Sequence, residues 1–173
     1  MNEPIYVNNA GIMLLSPFFS RLFYILNYLN DTRQMENKNK IRAIFVLQYI
    51  IYGEEKSYQE AELALTKLLV GWNNEQALPK KITLTDKEIE MADNLLLSAK
   101  GMWEKMRNTS EMVFREAFLQ RGCELMYDEY ANKWNITVEE KAYDILLDTL
   151  PWSFRVVNSP WTNYLLIVRW RDR

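Results

Sequence analysis

Three carboxylates near the C-terminus have a spacing that could support acid–base or metal chemistry. Glu140, Asp144 and Asp148 recur every four residues, which places them one turn apart on one face of a helix. Such a stripe could bind a divalent cation, or supply one acid and one base to a reaction. The same pattern is typical of the solvated side of an amphipathic helix, and no Gly-rich calcium loop accompanies it. A carboxylate-dependent enzyme is therefore kept as one functional hypothesis.

The single cysteine is the other candidate for chemistry. Arg121 precedes Cys123 by two residues and could favour a thiolate, but a nucleophilic cysteine also needs a base and the chain has no histidine. The lack of histidine excludes Ser-His-Asp and Cys-His catalysis and His-ligated zinc. A lone cysteine forms neither an internal disulfide nor a Cys-rich metal cage. Cys123 is therefore predicted to be a small buried hydrophobic residue, and we expect no cofactor, no metal and no enzymatic activity.

The composition is that of a folded chain with no strong charge field. Its 173 residues are 49% hydrophobic and 25% charged, with a net charge of −2. This length suits one domain with a core that needs no disulfide or metal. The charge balance does not favour a nucleic-acid partner, and no apolar stretch approaches the roughly 20 residues that cross a bilayer. The N-terminus does not resemble a signal peptide, so synthesis in the cytoplasm is expected.

Residues 1–122 are predicted to form the mainly helical part of a single domain that covers 1–173. Apolar side chains recur there at spacings of three and four, between residues that begin or end helices. Ser16 and Pro17 begin the first helix, whose apolar stripe reaches Leu29. The capping box Thr85–Glu88 begins the longest helix, which is expected to end near Arg107. A second helix is expected over residues 41–51, ended by Gly53, and a third over 58–69, ended by Gly71. A loop is expected over 73–79. A short helix is expected to begin at Ser110 and to be closed by Gly122.

Residues 123–173 are predicted to add a hairpin, a helix and C-terminal strands. The apolar period changes to two around residues 125–127 and 134–138, which indicates a β-hairpin with Asn132 in its turn. A helix is expected over Glu139–Leu150, followed by two strands over Trp152–Val157 and Tyr164–Trp170. The predicted fold class is α+β, mainly α, with about five to six helices and a small antiparallel sheet formed late in the chain.

Aromatic residues are abundant: six Trp, ten Tyr and seven Phe. Most lie on helical stripes and are predicted to be core. A C-terminal set lies instead in a tail rich in Pro, Ser and Asn, where aromatic side chains could form a contact surface. Interleaved arginines would also allow stacking of single-stranded nucleic acid, but the neighbouring acids and a pI near 5.4 argue against it. The candidate partner-contact residues are Trp152, Trp161, Tyr164 and Trp170.

Several strings of residues, taken in order, are more specific than composition. They resemble segments of the tape measure proteins of contractile injection systems, and the resemblance covers about Tyr6 to Trp170. The collinear order of the strings carries the resemblance. In chain order they are Tyr6 to Ile12, Leu14-Leu15, Pro17 to Phe19, Arg21 to Phe23, Arg42-Ala43, Leu47 to Tyr49, Gly53-Glu54, Leu65, Lys67 to Leu69, Gly71, Asn108 to Ser110, Arg115 to Gly122, Val138-Glu139, Ala142 to Asp148, Leu150 to Trp152 and Pro160-Trp161.

Two of these strings also make physical predictions. The string Asn8 to Gly11 predicts a tight turn, in which Gly11 would permit a positive φ. The polar residues of the string Arg115 to Gly122 are predicted to pair with helix ends or with the carboxylates of Asp144 and Asp148.

The resemblance implies a component of a phage-tail-like particle, in which a sheath surrounds an inner tube on a baseplate. In that family the tape measure protein is expected to lie in the tube lumen and to set tube length. A fully helical chain of 173 residues would span only about 260 Å, and many related chains are longer. We therefore expect a non-enzymatic assembly component that acts at the tube lumen or tube end, inside the particle, with tube, cap or baseplate proteins as partners. An adaptor, chaperone or cargo of such a system is the alternative.

Overall fold

The computed structural model describes residues 3–72 and 76–171. It confirms the predicted α+β class, with a mainly helical chain and a five-stranded sheet. The loop predicted over 73–79 lies partly outside the described residues. The α-helices are α1 (Phe19–Ile25), α2 (Asn37–Tyr52), α3 (Ala64–Val70), α4 (Asp86–Met102) and α5 (Glu111–Phe114), and 3₁₀ helices cover Ala10–Phe18, Glu60–Leu63, Glu104–Met106 and Ala142–Thr149.

Several helix ends lie where local residues predict them, although α4 ends at Met102 and not near Arg107. Gly53 and Gly71 follow α2 and α3 with φ of 77° and 72°, a left-handed backbone that glycine adopts without strain. Thr85 caps α4 with the predicted capping box. The hydroxyl of Ser110 accepts a hydrogen bond from the Val113 amide at the start of α5. A π-helical turn over Arg115–Leu119 extends α5. None of the helices in the described ranges is long and apolar enough to span a membrane.

The first helix differs from its prediction. It begins at Ala10 as a 3₁₀ helix that contains Pro17, and becomes α-helical only over α1, ending before Leu29. Gly11 lies inside this 3₁₀ helix and not in a tight turn, and its φ is not positive. Its role is steric, because a Cβ at Gly11 would lie 1.7 Å from the carbonyl oxygen of Phe118. A glycine is therefore required at this position because the backbone of Phe118 approaches it too closely for a side chain.

The sheet is mixed, which corrects the predicted antiparallel arrangement. Its strands are β1 (Ile5–Val7), β2 (Cys123–Asp128), β3 (Lys133–Val138), β4 (Val156–Val157) and β5 (Leu165–Arg169), in the order β1-β2-β3-β5-β4. The β2–β3 hairpin is antiparallel, as predicted, with Asn132 at φ 49° in the turn. β5 pairs parallel to β3 because the intervening chain crosses back before it re-enters the sheet. β1 comes from the N-terminus and was missed, since three residues are too few to show a period of two.

One continuous hydrophobic core joins the helices to the sheet. Trp161, between β4 and β5, packs edge-on against Phe23 of α1, with the ring centres 5.4 Å apart. The antiparallel pairing of β1 with β2 ties the N-terminus to the hairpin. The early helices and the late strands thus bury each other's apolar faces.

Candidate functional site

Asp144, the central residue of the carboxylate stripe, lies in a buried ion pair. Its side chain and that of Arg121 are 1% and 0% exposed. Two guanidinium nitrogens of Arg121 donate to its two carboxylate oxygens at 2.7 and 2.8 Å. The indole N–H of Trp170 and the amide of Lys141 each donate at 2.9 Å. A carboxylate with four donors has little remaining capacity for a metal or a substrate.

Electrostatics keep Asp144 ionised. Burial by itself would raise the pKa of this carboxyl. The hydrogen bonds from Arg121, Trp170 and the Lys141 amide outweigh that effect, so the pKa lies below its ordinary value. The guanidinium also lies over the Trp170 ring, 5.0 Å from its centre. Arg121 and Asp144 therefore form a packed, buried ion pair. This agrees with the prediction that Arg121 pairs with a carboxylate.

The carboxylate stripe does not form the common face predicted for it. Glu140 precedes the 3₁₀ helix Ala142–Thr149 and is exposed. Asp148 pairs at the surface with Arg171 at 3.0 Å. A 3₁₀ helix has three residues per turn, so residues four apart do not align. In the described part of the chain, no group of three or more His, Cys, Asp or Glu side chains could hold a metal ion.

Two further polar residues of the string before Gly122 hold the end of α2, as predicted. The Nε of Arg115 donates to the carbonyl of Ile50 at 2.9 Å. The side-chain amide of Gln120 donates to the carbonyl of Ile51 at 3.1 Å. Carbonyls in the last turn of a helix have no intrahelical partner, so these bonds join α5 and its π turn to α2.

A second polar network surrounds Glu88 at the start of α4. Arg42 donates to both of its carboxylate oxygens, at 2.7 and 2.6 Å, and the amide of Thr85 donates at 2.8 Å. The hydroxyl of Tyr28 also donates to it. Burial would raise the pKa of Glu88, but these bonds lower it below its usual range. The capping box signalled the Thr85 bond, while no local pattern signalled Tyr28 or Arg42.

Cys123 is buried, as predicted, at the start of β2. Burial raises the pKa of its thiol to about 12. The thiol is therefore protonated at neutral pH, and the nearby Arg121 directs its charge to Asp144 instead. A protonated, buried thiol is a poor nucleophile.

Two of the four predicted contact aromatics are interior, which corrects their expected exposure. Trp161 is 5% exposed and its indole N–H donates to the carbonyl of Leu69 at 2.8 Å. Trp170 is 1% exposed and donates to Asp144. Tryptophan in a Pro- and Ser-rich tail is drawn inward here because its ring adds apolar burial while its N–H finds an acceptor.

The other two contact aromatics are half-buried. The indole N–H of Trp152 donates to the carbonyl of Leu14 at 2.7 Å, and its ring meets Phe18 edge-on at 5.0 Å. The hydroxyl of Tyr164 donates to the carbonyl of Leu68 at 2.7 Å, and burial raises its pKa to about 12. Each keeps part of its ring at the surface, so partner contact through Trp152 or Tyr164 stays a prediction.

An apolar groove opens between α1 and α4, with a volume of about 440 Å³. The α1 side belongs to an apolar stripe that is predicted to be core, whereas no sequence pattern singled out the α4 side. Both sides have the same helical spacing, which predicts two apolar faces but does not predict that the edge between them stays open. The lining residues are Phe18, Arg21, Leu22, Ile25, Met91, Asn94, Leu95 and Ser98.

Comparison with known proteins agrees with the collinear strings. A family model described as contractile injection system tape measure protein matches residues 1–170. The chain therefore belongs to this family, and it is a component of a contractile injection system. No curated protein and no solved structure matches it.

Proposed function

We propose that the chain is a non-enzymatic assembly component that acts at the tube lumen or at one end of the tube, where it controls tube assembly or length. The match to the tape measure family over residues 1–170 carries this proposal. The proposed partners are tube, cap or baseplate proteins, and the proposed location is the cytoplasm during assembly and then the interior of the particle.

The contacts of the reactive side chains support a structural role. Glu88 and Asp144 are each held by several donors, and Cys123 is buried and protonated at neutral pH. Groups engaged in this way stabilise the fold and have no vacant coordination or proton-transfer partner to offer. These interactions therefore stabilise the positions of the helices and strands that they join.

The compactness of the fold supports action at a fixed place in the tube. A folded unit of this size has a radius of gyration of about 16 Å, whereas the same residues as one helix would extend about 260 Å. The folded unit therefore adds little length by its own extension. It is suited to docking on a tube protein or to joining parts of the assembly.

Deleting the gene and measuring tube lengths by electron microscopy tests the proposal. We expect fewer tubes, or a changed length distribution, and restoration by the wild-type gene. Particles of unchanged number, length and composition would contradict it. Complementation with Gly101→Ala provides a control for expression, since a Cβ at Gly101 meets nothing within 4 Å.

The open groove between α1 and α4 favours a second candidate function, that of an adaptor, a chaperone or a cargo of the same system. Quantitative mass spectrometry of purified particles separates the candidates. An assembly component stays in finished particles at a fixed ratio to the tube protein. An adaptor is found with its client before assembly and is absent from finished particles, while a cargo is recovered from target cells after contraction.

A further inference from the structure

The groove between α1 and α4 has two matching walls. On one wall Phe18, Arg21, Leu22 and Ile25 follow the spacing i, i+3, i+4 and i+7. Met91, Asn94, Leu95 and Ser98 repeat the same spacing on the other wall. That spacing forms the contact face of a helix, so each wall presents a helical contact face that the protein itself does not fully cover.

The α4 wall continues beyond the groove in both directions. At 100° per residue, Lys87 and Met102 lie on the same face of α4 as Met91 and Ser98. Lys87 is exposed, and 53% of Met102 is exposed. From Lys87 to Met102 the face is about 22 Å long, the length of a helix of about 15 residues.

Two cations lie along the groove. Arg21 on the α1 wall is exposed, and Lys87 lies one turn before Met91 on the α4 wall. Among the acidic residues of α4, Glu88 pairs with Arg42 and Asp93 faces Tyr49, whose hydroxyl donates to it at 3.0 Å. Glu90 is exposed one turn before Asn94, about 90° from the centre of the stripe. Arg21 and Lys87 therefore place positive charge along the apolar floor.

We propose that this groove binds an amphipathic α-helix of a partner protein, with apolar residues on the floor and acidic residues facing Arg21 and Lys87. A helix laid between two helices packs its apolar stripe into both walls, as in other helix-in-groove complexes. A second copy of this chain is a poorer occupant, because a two-fold contact through the groove would bring like cations together. The inference rests on the proposed assembly role and names the chemistry of the partner.

Two synthetic helical peptides of about 18 residues test the charge requirement. One has leucines at i, i+3, i+4 and i+7 with glutamates on the flanks, and its twin has lysine in place of each glutamate. Binding to the purified protein is measured by fluorescence anisotropy at low ionic strength, where surface charge is least screened. We expect the acidic peptide to bind more tightly than its twin.

Reversing the charge of Arg21 should shift the binding preference of the groove from the acidic peptide toward its lysine twin. Arg21→Glu is expected to weaken binding of the acidic peptide by about 2- to 5-fold, the upper part of the range for an exposed ion pair, and to improve binding of the lysine twin. Arg169→Glu, at an exposed arginine of β5 outside the groove, is the matched control and should change neither.

Filling the groove should abolish binding of both peptides. Ser98→Trp places a large ring in the groove from an exposed position, and Asn94→Trp is a second block on the same wall. Ser20→Trp is the matched control, since Ser20 is exposed on the opposite side of α1. Circular dichroism verifies that each variant is folded.

Equal binding of the two peptides, no binding of the acidic peptide, or an equal loss with Ser20→Trp and Ser98→Trp would overturn the inference. Complementing the deleted gene with Ser98→Trp separates it from the proposed function. If deletion alters the tubes and Ser98→Trp restores them fully, the assembly role stands and the groove inference is wrong. If deletion leaves the tubes unchanged while the peptides behave as expected, the proposed function is wrong and the groove inference stands.

Discussion

Replacing Asp144 by asparagine should destabilise the fold by about 3–5 kcal/mol, the range for removing one partner of a buried ion pair. Arg121 is fully buried, and its two terminal nitrogens donate to the Asp144 carboxylate at 2.7 and 2.8 Å. The amide of asparagine has the same shape but no charge, and its NH₂ group would face these donors. The loss is a large part of the 5–15 kcal/mol that typically stabilises a folded protein.

Urea denaturation followed by far-ultraviolet circular dichroism measures this loss. With a slope of about 2 kcal/mol/M, the midpoint should fall by roughly 2 M while the slope is unchanged. Asp148→Asn is the matched control, because its carboxylate pairs with Arg171 at the surface and surface pairs contribute little. A shift for Asp144→Asn no larger than the shift for Asp148→Asn would refute the reasoning.

A double replacement distinguishes pair loss from general damage. Arg121→Met combined with Asp144→Leu removes both charges and leaves apolar side chains in the same space. Such replacements are often neutral, so the double variant should be more stable than Asp144→Asn alone. If the double variant is the less stable of the two, loss of the hydrogen bonds of Arg121 to the carbonyls of Glu139 and Ala117 costs more than leaving the Arg121 charge unpaired.

At acidic pH, Asp144→Asn should destabilise the fold less than it does at neutral pH. The pKa of Asp144 is held below its ordinary value by Arg121 and Trp170. A depressed carboxyl pKa stabilises the folded state above the unfolded pKa of about 4, and this stability is lost as the pH falls toward the folded pKa. The stability difference between wild type and Asp144→Asn should therefore be constant near pH 7 and should narrow below pH 4.

Three other predictions concern packing. Gly11→Ala should prevent stable folding, since its Cβ would lie 1.7 Å from the carbonyl oxygen of Phe118. Gly101→Ala, whose Cβ would lie in open space, should raise the free energy of unfolding by about 0.5–1 kcal/mol. Urea midpoints test both variants, and a stable Gly11→Ala protein would contradict the packing. Cys123, with its thiol pKa near 12, should react with a thiol reagent at pH 8 only after unfolding, and rapid native labelling would be the contrary result. Residues 1–122 expressed alone should lack cooperative unfolding, because β1 pairs with β2; a sharp transition would instead support two separable parts.

Local patterns predicted several helix ends well. Gly53 and Gly71 follow helices with positive φ, Thr85 and Ser110 cap helices, and Asn132 lies in the hairpin turn. In each case the energetic preference belongs to a few consecutive residues, such as a side chain that satisfies a free amide or a backbone that tolerates a left-handed conformation. Sequence is sufficient for these features.

The groove shows where such patterns stop being sufficient. The stripe that includes Leu22 predicts a helix with an apolar face, as α1 has. It does not predict that the edge beside Arg21 stays open, because exposure depends on which other helix packs there. The α4 wall around Met91 and Ser98 was missed for the same reason.

By itself, the sequence determined the family, the α+β class, several helix ends and the exclusion of histidine chemistry, because composition, order of motifs and caps are properties of the chain. Tertiary packing selected Asp144 among the partners open to Arg121, and it set the mixed sheet and the interior positions of Trp161 and Trp170. Trp161 bonds to Leu69, 92 residues away, and such a contact depends on the complete packing of the core. The carboxylate spacing that suggested chemistry became a structural ion pair because distant parts of the chain supplied the burial and two of the donor groups, Arg121 and Trp170.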